Sequence, residues 1–201
     1  MEPKIKVKYP RVFLCGASGT GKTTLAKFIE REFKLPFITT STKPLWDEFG
    51  FNSHKDVIKH SLANPAAGHE FQMEVLRYRD KAVEKHTHFV TDRSPVDNIG
   101  YYLLQVSPTG SLGLQELMYR EAQLQIMRYM DALIFVKYTW DINLEDDHKR
   151  VTNPRYQHMC TNVFEGVLES FQTLRIPTLV IDRWDWEWRK KQVKRFLKPL
   201  W

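Results

Sequence analysis

Nine consecutive residues near the start of the chain have the types and spacing to grip a polyphosphate. Residues 16–24 read Gly-Ala-Ser-Gly-Thr-Gly-Lys-Thr-Thr, and Gly16, Gly21, Lys22 and Thr23 fit the pattern G-x-x-x-x-G-K-[ST]. The chemistry needs each part. Glycines let backbone N–H groups curl around phosphate oxygens, and the N-terminus of a following helix adds its positive end. Lys22 would reach the β- and γ-phosphates, and the Thr23 hydroxyl would ligate Mg²⁺. Ala17, Ser18, Gly19, Thr20 and Thr24 complete the predicted ATP cradle. An apolar run, Val12 to Cys15, leads in as a strand, and Leu25, Ala26, Phe28, Ile29 and Phe33 give the helical pattern behind it.

A second group lies at residues 89–97, Phe-Val-Thr-Asp-Arg-Ser-Pro-Val-Asp. An apolar strand would deliver Asp92 and Arg93 beside the phosphate loop, with Pro95 opening a new helix. Asp92 could hold Mg²⁺ through water or take a proton from an acceptor hydroxyl. Arg93 could brace a phosphate, or the pair could merely cap the helix. Lys43, in a polar turn at residues 41–46, could hold part of an acceptor. Residues 138–157 are long and polar for a connection, and Lys149, Arg150 and Arg155 are the cations a lid would carry over a transferring phosphoryl group. After the last strand, Arg183 or Trp184 could border the adenine.

The helix over residues 71–83 carries a clue that rests on periodicity. At about 100° per residue, Phe71, Val75, Tyr78 and Ala82 line one edge of an apolar arc, with Leu76 and Val83 on the other. Gln72 and Arg79 fall between them, seven residues apart, while Arg77 points away. Polar groups inside an apolar arc need partners. Either they pair internally, or they hydrogen-bond the edge of a base while Phe71 packs on its face.

Five apolar runs (Val12–Cys15, Pro36–Thr40, His88–Asp92, Ala132–Lys137 and Thr178–Asp182) must position these groups. They alternate with helical sequence, which predicts an α/β P-loop NTPase fold. The expected architecture is a doubly wound five-stranded parallel sheet with helices on both faces, a basic lid, and one domain over residues 1–201. Functional groups then belong at the C-terminal strand ends. No apolar run is long enough to span a bilayer, and the N-terminus lacks the core of a signal peptide. Cys15 and Cys160 suit a reducing compartment, so a cytoplasmic protein is expected. The seven histidines lack zinc spacing. A net charge of +6 and a pI near 9.2 attract anions, nucleotides and nucleic acid alike.

These residues together resemble the P-loop kinases acting on nucleosides and nucleoside monophosphates. In deoxynucleoside kinases a Phe-Gln pair with an arginine seven residues on reads the base, and Phe71, Gln72 and Arg79 match that spacing. Their acid-Arg-Ser motif, which supplies the base for the 5′-hydroxyl, is similar to Asp92-Arg93-Ser94. In thymidylate-type kinases an Asp-Arg motif stands at the same strand end, with Arg93 then facing the acceptor phosphate. Nicotinamide riboside kinase domains and phage enzymes carry similar strings. Two features depart from the deoxynucleoside kinase pattern. Its base-reading aspartate lies six residues after the acid, whereas Asp97 lies five after, and the lid lacks a compact arginine pattern.

The resemblance implies transfer of the γ-phosphoryl group of Mg-ATP to a nucleoside or its monophosphate, with Lys22, Asp92, Arg93, Arg150 and Arg155 catalytic. Lys43, Phe71, Gln72, Arg79 and Arg93 would hold the acceptor, and Thr23 and Asp92 the metal. A homodimer stays open. A hydroxyl on DNA or RNA is the alternative acceptor, suggested by Arg189, Lys190, Lys191, Lys194, Arg195 and Lys198. There Val193, Phe196, Leu197 and Leu200 also make an apolar stripe, which would leave the cations as its solvated face. A nucleotide-dependent switch that phosphorylates nothing is the third reading.

Overall fold

A computed structural model describes residues 10–106, 111–142 and 151–200. Five parallel strands, β1 (Arg11–Cys15), β2 (Phe37–Ile38), β3 (Phe89–Thr91), β4 (Ala132–Val136) and β5 (Thr178–Ile181), form a sheet in the order β2-β3-β1-β4-β5. All five expected strands are present; β1 starts one residue earlier than its apolar run, and the other four are shorter than theirs. Eight helices lie among the described residues: α1 (Lys22–Phe33), α2 (Lys43–Glu48), α3 (His54–Ala63), α4 (Pro65–Val83), α5 (Pro95–Gln105), α6 (Leu112–Tyr129), α7 (Pro154–Ser170) and α8 (Trp186–Leu197). None of them is long and apolar enough to cross a membrane.

The strands are apolar on both faces because helices cover both. From β1, Val12 and Leu14 pack with Leu25 and Ile29 of α1 and with Val193 and Leu197 of α8. Phe13 and Cys15 point the other way, into a core with Leu76 of α4, Ile99 of α5, Met118 of α6 and Phe164 of α7. Alternation along a pleated strand produces this division. The edge strand β5 is the exception, with Thr178 and Val180 exposed. A third, smaller cluster joins α2, α3 and α4 through Leu45, Phe51, Val57, Phe71 and Val75.

α5 packs against α4, α6 and α7, and its start is written locally. Ser94 caps it and Asp97, three residues on, completes a capping box, with Pro95 in the first turn. Its middle is fixed by a close approach to α7. A Cβ built on Gly100 would stand 2.0 Å from Cδ1 of Phe164, which is fully buried. Glycine is a poor helix former, by about 1 kcal/mol against alanine. Its presence here is explained by the space that the Phe164 ring occupies.

Gly100→Ala therefore is expected to lower stability by about 1–3 kcal/mol, against the direction of helix propensity. Pairing it with Phe164→Leu should recover part of the loss. Urea denaturation of the two variants checks this, and a stabilised Gly100→Ala protein would refute the close packing.

Candidate functional site

The phosphate loop joins β1 to α1 at the centre of the sheet. Gly16 has φ 145°, and a Cβ there would lie 2.2 Å from the Val136 carbonyl oxygen of β4, so any side chain is excluded. Gly19 and Gly21 also have positive φ. Lys22 is buried, its Nζ donating to the carbonyls of Gly16 at 2.7 Å and Ala17 at 2.6 Å. Burial first, then repulsion from Arg93, lowers its pKa to about 8. The loop's outer side is propped by Arg189, 1% exposed, whose Nη1 donates to Thr20 O at 2.7 Å and Nε to Arg183 O at 2.6 Å. Its guanidinium lies 4.6 Å from the Trp184 ring. Arg189 thus belongs to the loop's support. The apolar stripe of α8 packs on the sheet, and Lys194 pairs with Glu32 at 2.6 Å.

β3 carries the second group to the same place. Thr23 Oγ1 donates to Asp92 Oδ2 at 2.5 Å, so the two residues expected to share a metal are in contact. Arg93, partly buried, hydrogen-bonds Tyr101 of α5. Asp97 is fully buried. Its Oδ2 accepts from Ser94 N at 2.7 Å and Ser94 Oγ at 2.8 Å, and its Oδ1 accepts from Gly16 N at 3.1 Å. This aspartate ties the α5 cap to the phosphate loop.

Gln72 and Arg79 are buried, 4% and 9% exposed, while Arg77 is exposed, as the periodicity of α4 predicts. Both find partners on α5. Gln72 Nε2 donates to Gln105 Oε1 at 3.2 Å, and Arg79 Nη1 donates to Asn98 Oδ1. Asn98 and Gln105 are themselves seven residues apart, so the two helices meet through two polar rungs separated by about 10 Å, at about 1.5 Å rise per residue. The Arg79–Asn98 rung adjoins Asp97 and the phosphate loop; the Gln72–Gln105 rung continues to His54 of α3, whose Nε2 stands 3.1 Å from Gln105 Nε2.

With its Oε1 engaged by Gln72, Gln105 presents its NH₂ to His54. In this amide orientation the ring accepts there and is neutral. Burial first, then Arg93, lowers the His54 pKa to about 4, in agreement with the geometry.

One cleft of about 780 Å³ is lined by the phosphate loop, Asp92, Arg93 and both rungs. Phe71 and Lys43 also line it. Phe71 is buried at its wall, edge-to-face with Phe49 and Phe51 at 5.2 Å each. Lys43 is exposed, at the start of α2. Trp184 borders the cleft beside Gly21. Arg155 is exposed in the first turn of α7 and does not line it. Lys149 and Arg150 lie outside the described residues, as does most of the lid's middle. Asn98, Gln105 and His54 escape the sequence reading, although the seven-residue repeat on α5 is the signal that marks α4.

Residues 11–189 match a family described as AAA domain. No curated protein matches the chain. Among solved structures, deoxyadenosine kinase from M. mycoides with bound dATP superimposes with TM-score 0.64 at 12% identity, covering 94% of this chain and 100% of that one. NadR protein in complex with NAD and AMP-PNP gives 0.61 at 15% identity, covering 94% of this chain and 50% of that one. The complex of NadR with NR gives 0.63 at 14%, covering 94% and 51%. At such identities the likeness shows a shared fold, and the chain spans about half the NadR length.

The His54 environment makes stability depend on acid. Between pH 6.5 and about 4 the unfolded ring binds a proton that the folded ring refuses. The contribution is intact above pH 6.5 and falls as pH drops through that window, by up to about 3 kcal/mol. His54→Gln should flatten the difference in a denaturation series from pH 7 to 4; parallel curves for the two proteins would contradict it.

Proposed function

The chain belongs to the AAA-domain family, and we propose that it is an ATP-dependent kinase whose acceptor is a nucleoside or nucleoside monophosphate. The observation that carries this reading is the shared cleft. The phosphate loop with Lys22 and Thr23 forms one wall, the polar rungs of α4 and α5 form another, and Asp92 and Arg93 stand between them. A protein that only bound or hydrolysed a triphosphate would have no use for the second wall. The fold it shares with a deoxyadenosine kinase supports the same class.

Mg²⁺ suits the donors present. A hydroxyl and a carboxylate oxygen meet at the start of α1, and this cation takes one or two protein oxygens while keeping water and phosphate for the rest. Bound there with ATP, it would neutralise charge on the phosphate oxygens. The remaining work belongs to the chain. Loop N–H groups and the α1 N-terminus hold the triphosphate. Lys22 exchanges the carbonyls of Gly16 and Ala17 for phosphate oxygens. Arg93 orients the acceptor's reacting end, and its hydrogen bond with Tyr101 keeps it in place. The contact between Asp92 and Thr23 supports a metal-side role for this carboxylate. With a hydroxyl acceptor it would also take the departing proton. Gln72, held by Gln105, offers its amide oxygen for a base edge, with Phe71 in the adjoining wall.

Purified protein with Mg-ATP is expected to phosphorylate a member of a panel of nucleosides and their monophosphates. Chelation should stop the reaction, and Asp92→Asn should lower kcat by about 10²–10⁴-fold. ATP hydrolysis with no phosphorylated acceptor across the panel would overturn the kinase reading.

A further inference from the structure

The rung nearest the phosphate loop holds more positive charge than the described residues balance. Arg79 is 9% exposed, and the one group it hydrogen-bonds is the neutral amide of Asn98. Its Nε has no partner among the described residues. Arg93 lies close enough to repel it, and burial with that repulsion lowers the Arg79 pKa to about 10. The two carboxylates nearby are engaged elsewhere: Asp97 with Ser94 and Gly16 N–H, Asp92 with the Thr23 hydroxyl. Among the described residues neither arginine has a carboxylate within ion-pair distance. Lys43 adds a third cation at the cleft's rim. The far rung differs, because Gln72, Gln105 and His54 are all neutral there. Burying unbalanced cations is costly unless an anion arrives to meet them.

From this polarity we infer that the acceptor brings its own anion, a phosphomonoester seated between Arg79 and Arg93 with its neutral part toward Gln72 and Gln105. The reaction rests on the kinase reading above, whereas the seat rests on the charge of the two arginines and the burial of Arg79. An oxygen of the acceptor phosphate forms the new bond to the γ-phosphorus. The bond from that phosphorus to the β–γ bridging oxygen breaks, and its electron pair leaves with ADP. With a second pKa of about 6 the phosphomonoester is already largely ionised near neutral pH, so no proton needs removing. Asp92 is then left to the Thr23 side. A nucleoside would leave the Arg79 guanidinium with no anion against it and its Nε without a partner among the described residues.

Calorimetry on nucleoside and 5′-monophosphate pairs tests the seat, with a nonhydrolysable ATP analogue held saturating so that the phosphate loop does not capture the monophosphate. The monophosphate that fits should bind at least about tenfold more tightly than its nucleoside. Asn98→Asp, isosteric and able to pair with Arg79, should collapse that ratio toward one. Equal affinity within every pair overturns the inference, and so does a preference that survives Asn98→Asp. Turnover is read separately. A phosphorylated nucleoside would uphold the kinase and sink the seat. An Asn98-dependent preference for monophosphate without product would uphold the seat and sink the kinase.

Discussion

Asp97 joins the two halves of the site through one carboxylate. Its Oδ2 holds the cap of α5 through Ser94, and its Oδ1 holds the first glycine of the phosphate loop. Each hydrogen bond to a charged acceptor contributes about 1.5–3 kcal/mol when buried, and leaving these donors unmet would be as costly. The geometry is over-determined. Gly16 accepts no side chain because Val136 O fills the space, and α5 cannot slide because Phe164 fills the space above Gly100. The helix that carries Asn98, Tyr101 and Gln105 is therefore fixed relative to the loop that carries Lys22 and Thr23.

From that junction the cleft acquires its direction. α4 and α5 meet through Arg79–Asn98 near the loop and Gln72–Gln105 farther out, so charge gives way to neutral amides along one wall. The helices' apolar residues bury in two separate clusters, Leu76 with Ile99 in one and Phe71 with Val75 in another. The polar line between those clusters is hydrogen-bonded across the helix pair and open to the cleft. That arrangement satisfies part of the polar demand internally, while Arg79 Nε keeps no partner among the described residues. Of the two readings open at the level of sequence, internal pairing is observed, and the paired residues also line the cleft.

Much of this is legible in the chain. The phosphate loop declares itself because strand, glycines and helix agree, and the burial of Gln72 and Arg79 follows from helical period alone. The five strands are found where continuous apolar runs place them. Asp97 is harder to assign. Its partner Gly16 is 81 residues away, and the local capping pattern already explains an acidic residue three after Ser94. Asn98 and Gln105 repeat the spacing of α4, yet α5 begins with a motif that draws attention to its first turn. Arg189 reads as one cation in a basic segment, and only the packing of α8 brings it against Thr20. Such long-range contacts depend on how the elements cross, which no single stretch of sequence specifies.

The central claim is that one cleft holds donor and acceptor on separate walls joined at Asp97. Side-chain and backbone NMR of the intact protein, titrated with ATP and with acceptor separately, tests it most directly. ATP should shift the backbone amides of Gly19 and Gly21. The acceptor should shift the side-chain NH₂ signals of Gln72, Asn98 and Gln105. Acceptor binding that leaves those three unmoved while perturbing another surface would contradict the account.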